Sequence, residues 1–222
     1  EFARIWREKL IEHKFDIEQS LLFGAQGTVD SVQYTEGAVD FITSYGNIFT
    51  GTGMGGTGSK AQDDFLDDMS QFLDPRYNNA NATLFMVSTD VYNWLHKLSG
   101  YFTANMQKTD LGSSNRFAGR SDFSIGGKKN VFGVDITQIY TPYGVMNVSR
   151  NIHLDGSGVK MLAVNMKNCA YRPLVGNGLN RDTAVYVGVQ TLENSGVDRR
   201  VDLIQTEAGM EWQMPEAHAV WK

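Results

Sequence analysis

The opening stretch constrains this chain more than any other. From Glu1 to Phe23 the sequence reads as one long amphipathic helix that Gly24 closes. Turning successive residues by about 100° places Phe2, Ile5, Trp6, Leu10, Ile17 and Leu21 on one broad face. A narrower row of Ile11, Phe15 and Leu22 falls on nearly the opposite side. At about 1.5 Å per residue the rod is roughly 35 Å long. Charge pairs at near spacing (Glu1 with Arg4, Lys9 with Glu12, Lys14 with Glu18) occupy the rest of its surface. Each adds a few tenths of a kcal/mol. A helix that is apolar on two flanks needs two coverings. The chain's own sheet suits one; the other calls for more of the same chain or for a neighbouring molecule. Ile11, Phe15 and Leu22 are therefore the candidate intersubunit contacts, and a helix buried inside a sizeable monomer is the alternative.

With 222 residues the chain suffices for one large domain or two small ones, and could bury about 70% of its unfolded surface. It needs neither a disulfide scaffold nor a metal to hold it. Its 41% hydrophobic and 20% charged residues are those of an ordinary soluble protein, and 23 glycines against 4 prolines imply many turns. A formal net charge of -5 argues against a general nucleic-acid binder, whose affinity comes from Lys and Arg neutralising phosphates. Lys128-Lys129 and Arg199-Arg200 are the only adjacent cations. Cys169 is the single cysteine, so no internal disulfide forms and the redox compartment stays open. There is no apolar run of about 18 residues and no signal-peptide pattern. Position 1 is Glu with the helical pattern already under way, which leads us to expect further sequence upstream.

Beyond Gly24 a polar, glycine-dotted passage runs to Ser59, with one apolar island, Val39 to Ile42, readable as a strand or a turn of helix. A second helix starts at a capping box of Ser59 and Gln62, carries Phe65, Leu66, Met69, Phe72 and Leu73 at helical spacing, and stops at Asp74-Pro75. Asp63, Asp64, Asp67 and Asp68 fill its outer face; without a fixed ligand loop they read as a solvated face, not a cation site. Thr83 to Val87 is a short buried strand. Ser88 or Thr89 then caps a third helix with Val91, Trp94, Leu95 and Leu98 inward and Gly100 at its end. Tyr101 to Asn130 loses periodicity and reads as a functional or intersubunit loop. Strands follow at Val131 to Tyr140, Val145 to Arg150, Val159 to Val164 and Ala184 to Val189, and the alternation of Met210, Trp212 and Met214 predicts one more. Thr141-Pro142-Tyr143-Gly144 specifies a type I turn.

Two chemistries are worth weighing. Gly51, Gly53 and Gly56 satisfy a dinucleotide fingerprint, which works only between a buried strand and a helix whose amides receive the pyrophosphate. Tyr45 to Thr50 is a poor strand, and Gly58-Ser59-Lys60 inverts the order of a P-loop. A flexible surface loop is the better account; a nucleotide-binding enzyme using Gly51 to Gly58 is the alternative. His13, His96, His153 and His218 lie on different elements and read as structural. Asn81-Ala82-Thr83 and Asn147-Val148-Ser149 match the glycosylation pattern by chance. No catalytic residue, cofactor or metal is expected.

The order of elements carries a resemblance. The helix containing Ile11-Glu12-His13-Lys14-Phe15-Asp16-Ile17-Glu18 and ending Leu21-Leu22-Phe23-Gly24 resembles the long spine helix of tailed-bacteriophage major capsid proteins. Tyr140-Thr141-Pro142-Tyr143-Gly144-Val145-Met146 looks like the hairpin of their axial domain, Ala170-Tyr171-Arg172-Pro173 like the strand-ending segment after it, and Glu216-Ala217-His218-Ala219 like their last strand. The resemblance implies an α+β chain of the Hong Kong 97-type capsid fold: residues 1–36 as peripheral domain with the spine helix, 37–182 as inserted axial domain, and 183–222 as return strands of the peripheral domain. It also implies self-assembly into pentamers and hexamers of an icosahedral head enclosing phage DNA, located in the virion and assembled in the host cytoplasm. Portal, scaffold and decoration proteins are further candidate partners, whereas sequence-specific nucleic acid and membrane are not. That family has an N-terminal arm and extended loop ahead of the spine helix, and this sequence begins inside the helix. A cellular nanocompartment shell of the same fold is a further alternative. Head-to-tail rings bring unlike patches together, which suits two unlike apolar faces on one helix.

Overall fold

The computed structural model describes residues 2–55, 60, 62–73, 76, 83–108, 124–131, 134–176, 178–190, 193, 196–197 and 199–222. In order these form α1 (Phe2–Phe23), β1 (Gly27–Val29), β2 (Val32–Tyr34), α2 (Ala38–Tyr45), β3 (Asn47–Phe49), α3 (Gln62–Phe72), β4 (Thr83–Val87) and α4 (Thr89–Lys108). Then come β5 (Ser124–Val131), β6 (Val134–Thr141), β7 (Gly144–Arg150), β8 (Met161–Asn165), β9 (Cys169–Pro173), β10 (Val175–Gly176) and β11 (Leu179–Asn180). The last four are β12 (Ala184–Gln190), β13 (Val201–Gln205), β14 (Ala208–Trp212) and β15 (Ala219–Trp221). The chain is mixed α+β and divides into two units, Glu1–Phe41 with Cys169–Gln213 and Ile42–Asn168 with Met214–Lys222.

In the first unit α1 ends by close approach. The Gly24 N–H donates to the Ser20 carbonyl at 2.8 Å, and a Cβ on Gly24 would lie 2.4 Å from that oxygen. The chain then folds back, with the Gly37 N–H on the Gly24 carbonyl at 2.8 Å. Between them stands the hairpin β1–β2, turning on Asp30 and Ser31 at φ 50 and 68. Among the described residues the other strands of this unit form short antiparallel pairs, β9 with β14, β10 with β11 and β12 with β13. Residues 35–41 hold β14: Met210 N–H donates to Thr35 Oγ1 (3.1 Å), Trp212 Nε1–H to the Glu36 carbonyl (3.3 Å), and Phe41 stacks on Trp212 at 6.0 Å.

The second unit contains a seven-stranded mixed sheet in the order β3-β15-β8-β4-β7-β6-β5. β15 runs parallel to β3 and β4 parallel to β7; the other neighbours are antiparallel. Phe65, Met69 and Phe72 from α3, Leu73 just after it, and Val91, Trp94 and Leu95 from α4 join Phe85, Val87, Met146, Val148, Met161 and Trp221 in one buried cluster. Those contributed by α3, Leu73 and α4 are residues that the 3.6 periodicity selects for an inward face, whereas Met161 and Trp221 lie in strands buried throughout. Trp221, fully buried, is central. It stacks on Phe49 at 4.9 Å, meets Phe72 edge-on at 5.9 Å, and donates its Nε1–H to Asp68 at 3.0 Å.

Several expectations change. The island Val39 to Ile42 is helical, within α2. Gly100 does not end the third helix, which continues to Lys108, and β5 begins at Ser124, so helix and strand occupy much of the expected 101–130 loop. A mid-helix glycine costs about 1 kcal/mol against Ala but does not break the backbone bonding. Residues 109–123 lie outside the described residues, as do Ser59 of the capping box, Gly56 of the fingerprint, and Asn81 and Ala82. Asp68 is not on a solvated face, because Lys60 and Trp221 both bond its carboxylate. At 141–144 the turn is as expected: β6 and β7 pair through Thr141 and Gly144, and neither Pro142 nor Tyr143 has the positive φ of the alternative tight turns.

The glycine stretch is the largest correction. Gly51, Met54 and Gly55 are buried, not a flexible surface loop. Gly51 donates its N–H to the Lys222 carbonyl, and a Cβ there would lie 2.9–3.0 Å from the Lys222 backbone. Gly55, at φ 81, lies against Asp90 and Val91 of α4, whose backbone atoms a Cβ would meet at 3.0–3.2 Å. The glycines are there because two backbones approach closely.

Candidate assembly surface

Along α1 the side chains divide by angle. Trp6, Leu10, His13, Ile17 and Leu21 are half-buried, and they share an arc of the helix. His13 Nε2 sits 2.8 Å from Thr206 Oγ1. Of the candidate contacts, Ile11 and Phe15 are exposed at 48% and 42%, but Leu22 is buried at 6%. The second row is thus exposed at its first two members only. Leu22 belongs to its own unit, because the return through Gly37 passes over the last turn of the helix, where a Cβ on Gly37 would meet the Leu22 carbonyl at 2.9 Å. Periodicity reports direction around a helix; it cannot report where the chain comes back.

A third exposed apolar side chain, Ile5 at 46%, opens into a groove between α1 and β13. Ile5, Trp6, Leu203 and Ile204 supply its apolar lining, and Lys9, Glu12, Asp16, Arg200 and Asp202 its charges. Pairing within the wall offsets four of those five charges. Lys9 Nζ lies 2.6 Å from Glu12, which raises the Lys9 pKa first by a hydrogen bond and then by charge attraction. Asp202 is held below the usual carboxylate range by Arg200 at 2.9 Å and by the Gly188 N–H at 2.7 Å. β13 itself was not anticipated, because Val201-Asp202-Leu203-Ile204-Gln205 lacks strict alternation.

Charges elsewhere in this unit are likewise paired at the surface: Arg172 with Glu211 at 2.6 Å and Arg181 with Glu207 at 2.9 Å. In the second unit Lys60, the cation of the fingerprint stretch, is spent internally on Asp68 and the Thr50 carbonyl. His218 is fully buried, with Nδ1 accepting the Asn165 N–H at 3.2 Å. What the first unit presents outward thus includes apolar side chains beside paired charges.

A structural protein of a viral shell is the class to which these features lead. The model of a family described as SU10 major capsid protein matches residues 1–222, and the chain belongs to that family. It is a bacteriophage capsid protein, part of the shell of the virion, from a structural family and not an enzyme family. No curated protein sequence matches the chain. Among the described residues no helix is long and apolar enough to cross a membrane.

Proposed function

We propose that copies of this chain self-assemble into pentamers and hexamers that tile an icosahedral head around phage DNA. On this reading the fold is of the Hong Kong 97 type. α1 is the spine of the peripheral domain, made of residues 1–36 and 183–222, and residues 37–182, which supply six of the seven strands of the large sheet, form the axial domain. Assembly takes place in the host cytoplasm, and portal, scaffold and decoration proteins meet the same lattice. The observation that carries the reading is the exposed pair Ile11 and Phe15 on the side of α1 away from its half-buried arc, in a chain of a capsid family. Each copy in a closed shell is held by several neighbours at once, so individually modest apolar contacts suffice. A negative charge balance of -5 limits adhesion of the inner wall to DNA that must later leave.

Negative-stain images and sedimentation of the purified chain test this directly. Rings of five and six or closed particles are expected from the unaltered protein. Phe15→Glu should lower particle yield at least tenfold while leaving the melting temperature of the unassembled chain within about 3 °C. An unaltered protein that stays monomeric at high concentration defeats the proposal.

A further inference from the structure

In the ribbon β12–β13 only β13 lies beside α1, and the outer strand β12 lacks such support. Two antiparallel strands alone are marginal in water and need a third strand or a packed face. Here the alternate residues Val185, Val187 and Val189 of β12 are exposed at 48%, 63% and 47%, and Tyr186 at 50%. Its cross-strand partner Leu203 is 45% exposed. Successive residues of a strand point to opposite faces, so both faces of β12 are open, whereas Val201, Asp202 and Ile204 of β13 are half-buried beside the groove with α1. β12 has β13 as its one strand neighbour among the described residues.

This is the acute case of a general deficit in the first unit. Among the described residues, Leu22 and Ala38 are its only buried apolar side chains, and the second unit holds all the others. The five exposed side chains on the ribbon, divided between its faces, leave on the order of 400 Å² in water, within the range of about 300–600 Å² over which the largest apolar patch of a monomer is often functional. That area also matches the apolar share, about 56–65%, of the roughly 800 Å² each partner contributes to a stable interface.

We infer that the outer edge and faces of β12 are an interface with a second copy of this chain, and that this pairing stabilises the ribbon. The inference rests on the shell reading, which makes other copies the constant neighbours of this surface. The edge is suited to a protein partner through its backbone, because an unpaired strand edge offers N–H and C=O groups to another strand. At Gly188, with φ 70, the register on the β13 side is broken and the amide bonds Asp202 instead. Adding a strand on the outer side would restore the support that this irregularity weakens.

Hydrogen exchange on the unaltered protein, before and after assembly, tests the inference. Amides of residues 184–190 should exchange rapidly in unassembled chains and slow at least tenfold on assembly. As a second measurement, Val187→Glu should cut assembly tenfold or more and Val187→Thr less, with the main melting transition unmoved. Should Val187→Glu fail to fold, the exchange result decides. Particles in which 184–190 exchange as fast as before overturn the inference alone. A chain that forms no oligomer of any size overturns both it and the shell reading.

Discussion

Asp155 shows how much a single side chain can do at a distance in sequence. Ser88 begins α4 by accepting the Tyr92 N–H on its carbonyl, yet its buried Oγ has no hydrogen-bond partner among the described residues. The capping falls to Asp155, whose carboxylate accepts the Thr89 N–H at 2.7 Å and the Thr89 hydroxyl at 2.8 Å. Asp155→Ala should cost about 1 kcal/mol by urea denaturation, and Asp155→Asn less, since one acceptor oxygen remains. The Thr89 hydrogen bonds hold the Asp155 pKa below its ordinary value. A depressed folded-state pKa gives stability that is full above the unfolded value of about 3.9 and is lost as pH falls through the folded value. The gap between the unaltered protein and Asp155→Ala should therefore be constant from pH 7 to about pH 4.5 and close below that; a gap that persists at pH 2 argues against the carboxylate as its source. Asp68 is the second such residue. Its removal strands the Lys60 ammonium, whose side chain is 7% exposed, and the Trp221 N–H. Asp68→Ala should destabilise by about 3 kcal/mol or more, far beyond a substitution at the exposed Asp67.

Among the elements, the glycine stretch after β3 allows a sharper comparison. Gly55 and Gly156 both have positive φ, 81 and 78, but a Cβ at Gly156 meets nothing within 4 Å while at Gly55 it meets Asp90 and Val91. Both Ala substitutions incur the left-handed backbone strain of about 1–2 kcal/mol. Only Gly55→Ala also pushes α4 from the strand layer, so it should lower the melting temperature by at least twice as much; equal losses would deny the close packing. The elements also show what sequence can carry. The inward faces of α3 and α4 and the strand β4 were legible because their apolar residues repeat at the period of the element and are buried here. The hairpin β1–β2 was not, since Asp30 and Ser31 reach left-handed φ where Gly or Asn is the usual signal. The glycines at 51 and 55 looked polar and loose because the surfaces they fit, Lys222 and Asp90, are remote in sequence. Ile11 and Phe15 were readable as a surface row from angle alone, whereas Leu22 needed knowledge of the chain's return through Gly37.

For the whole molecule the question is which force assembly obeys. Each copy carries a formal charge of -5, so copies repel at low salt, over a screening length of about 30 Å at 0.01 M that falls to about 8 Å at 0.15 M. Although Asp202 beside Arg200 is 9% exposed, most ion pairs of the first unit are at the surface, as with Arg172 and Glu211 at 68% and 36%. Such pairs contribute little and are themselves screened. The side chains proposed to meet a neighbour, Ile11 and Phe15 of α1 and the valines of β12, are apolar and exposed, and their attraction does not weaken with ordinary salt. Raising NaCl from 0.02 to 0.5 M should therefore increase the extent of assembly followed by light scattering, because only the repulsion is screened. A decrease would mean that charge pairs across the interface outweigh the valine row and Phe15. Under that outcome Phe15→Glu and Val187→Glu should also lose most of their effect at low salt, which separates a charged interface from an apolar one within a single titration.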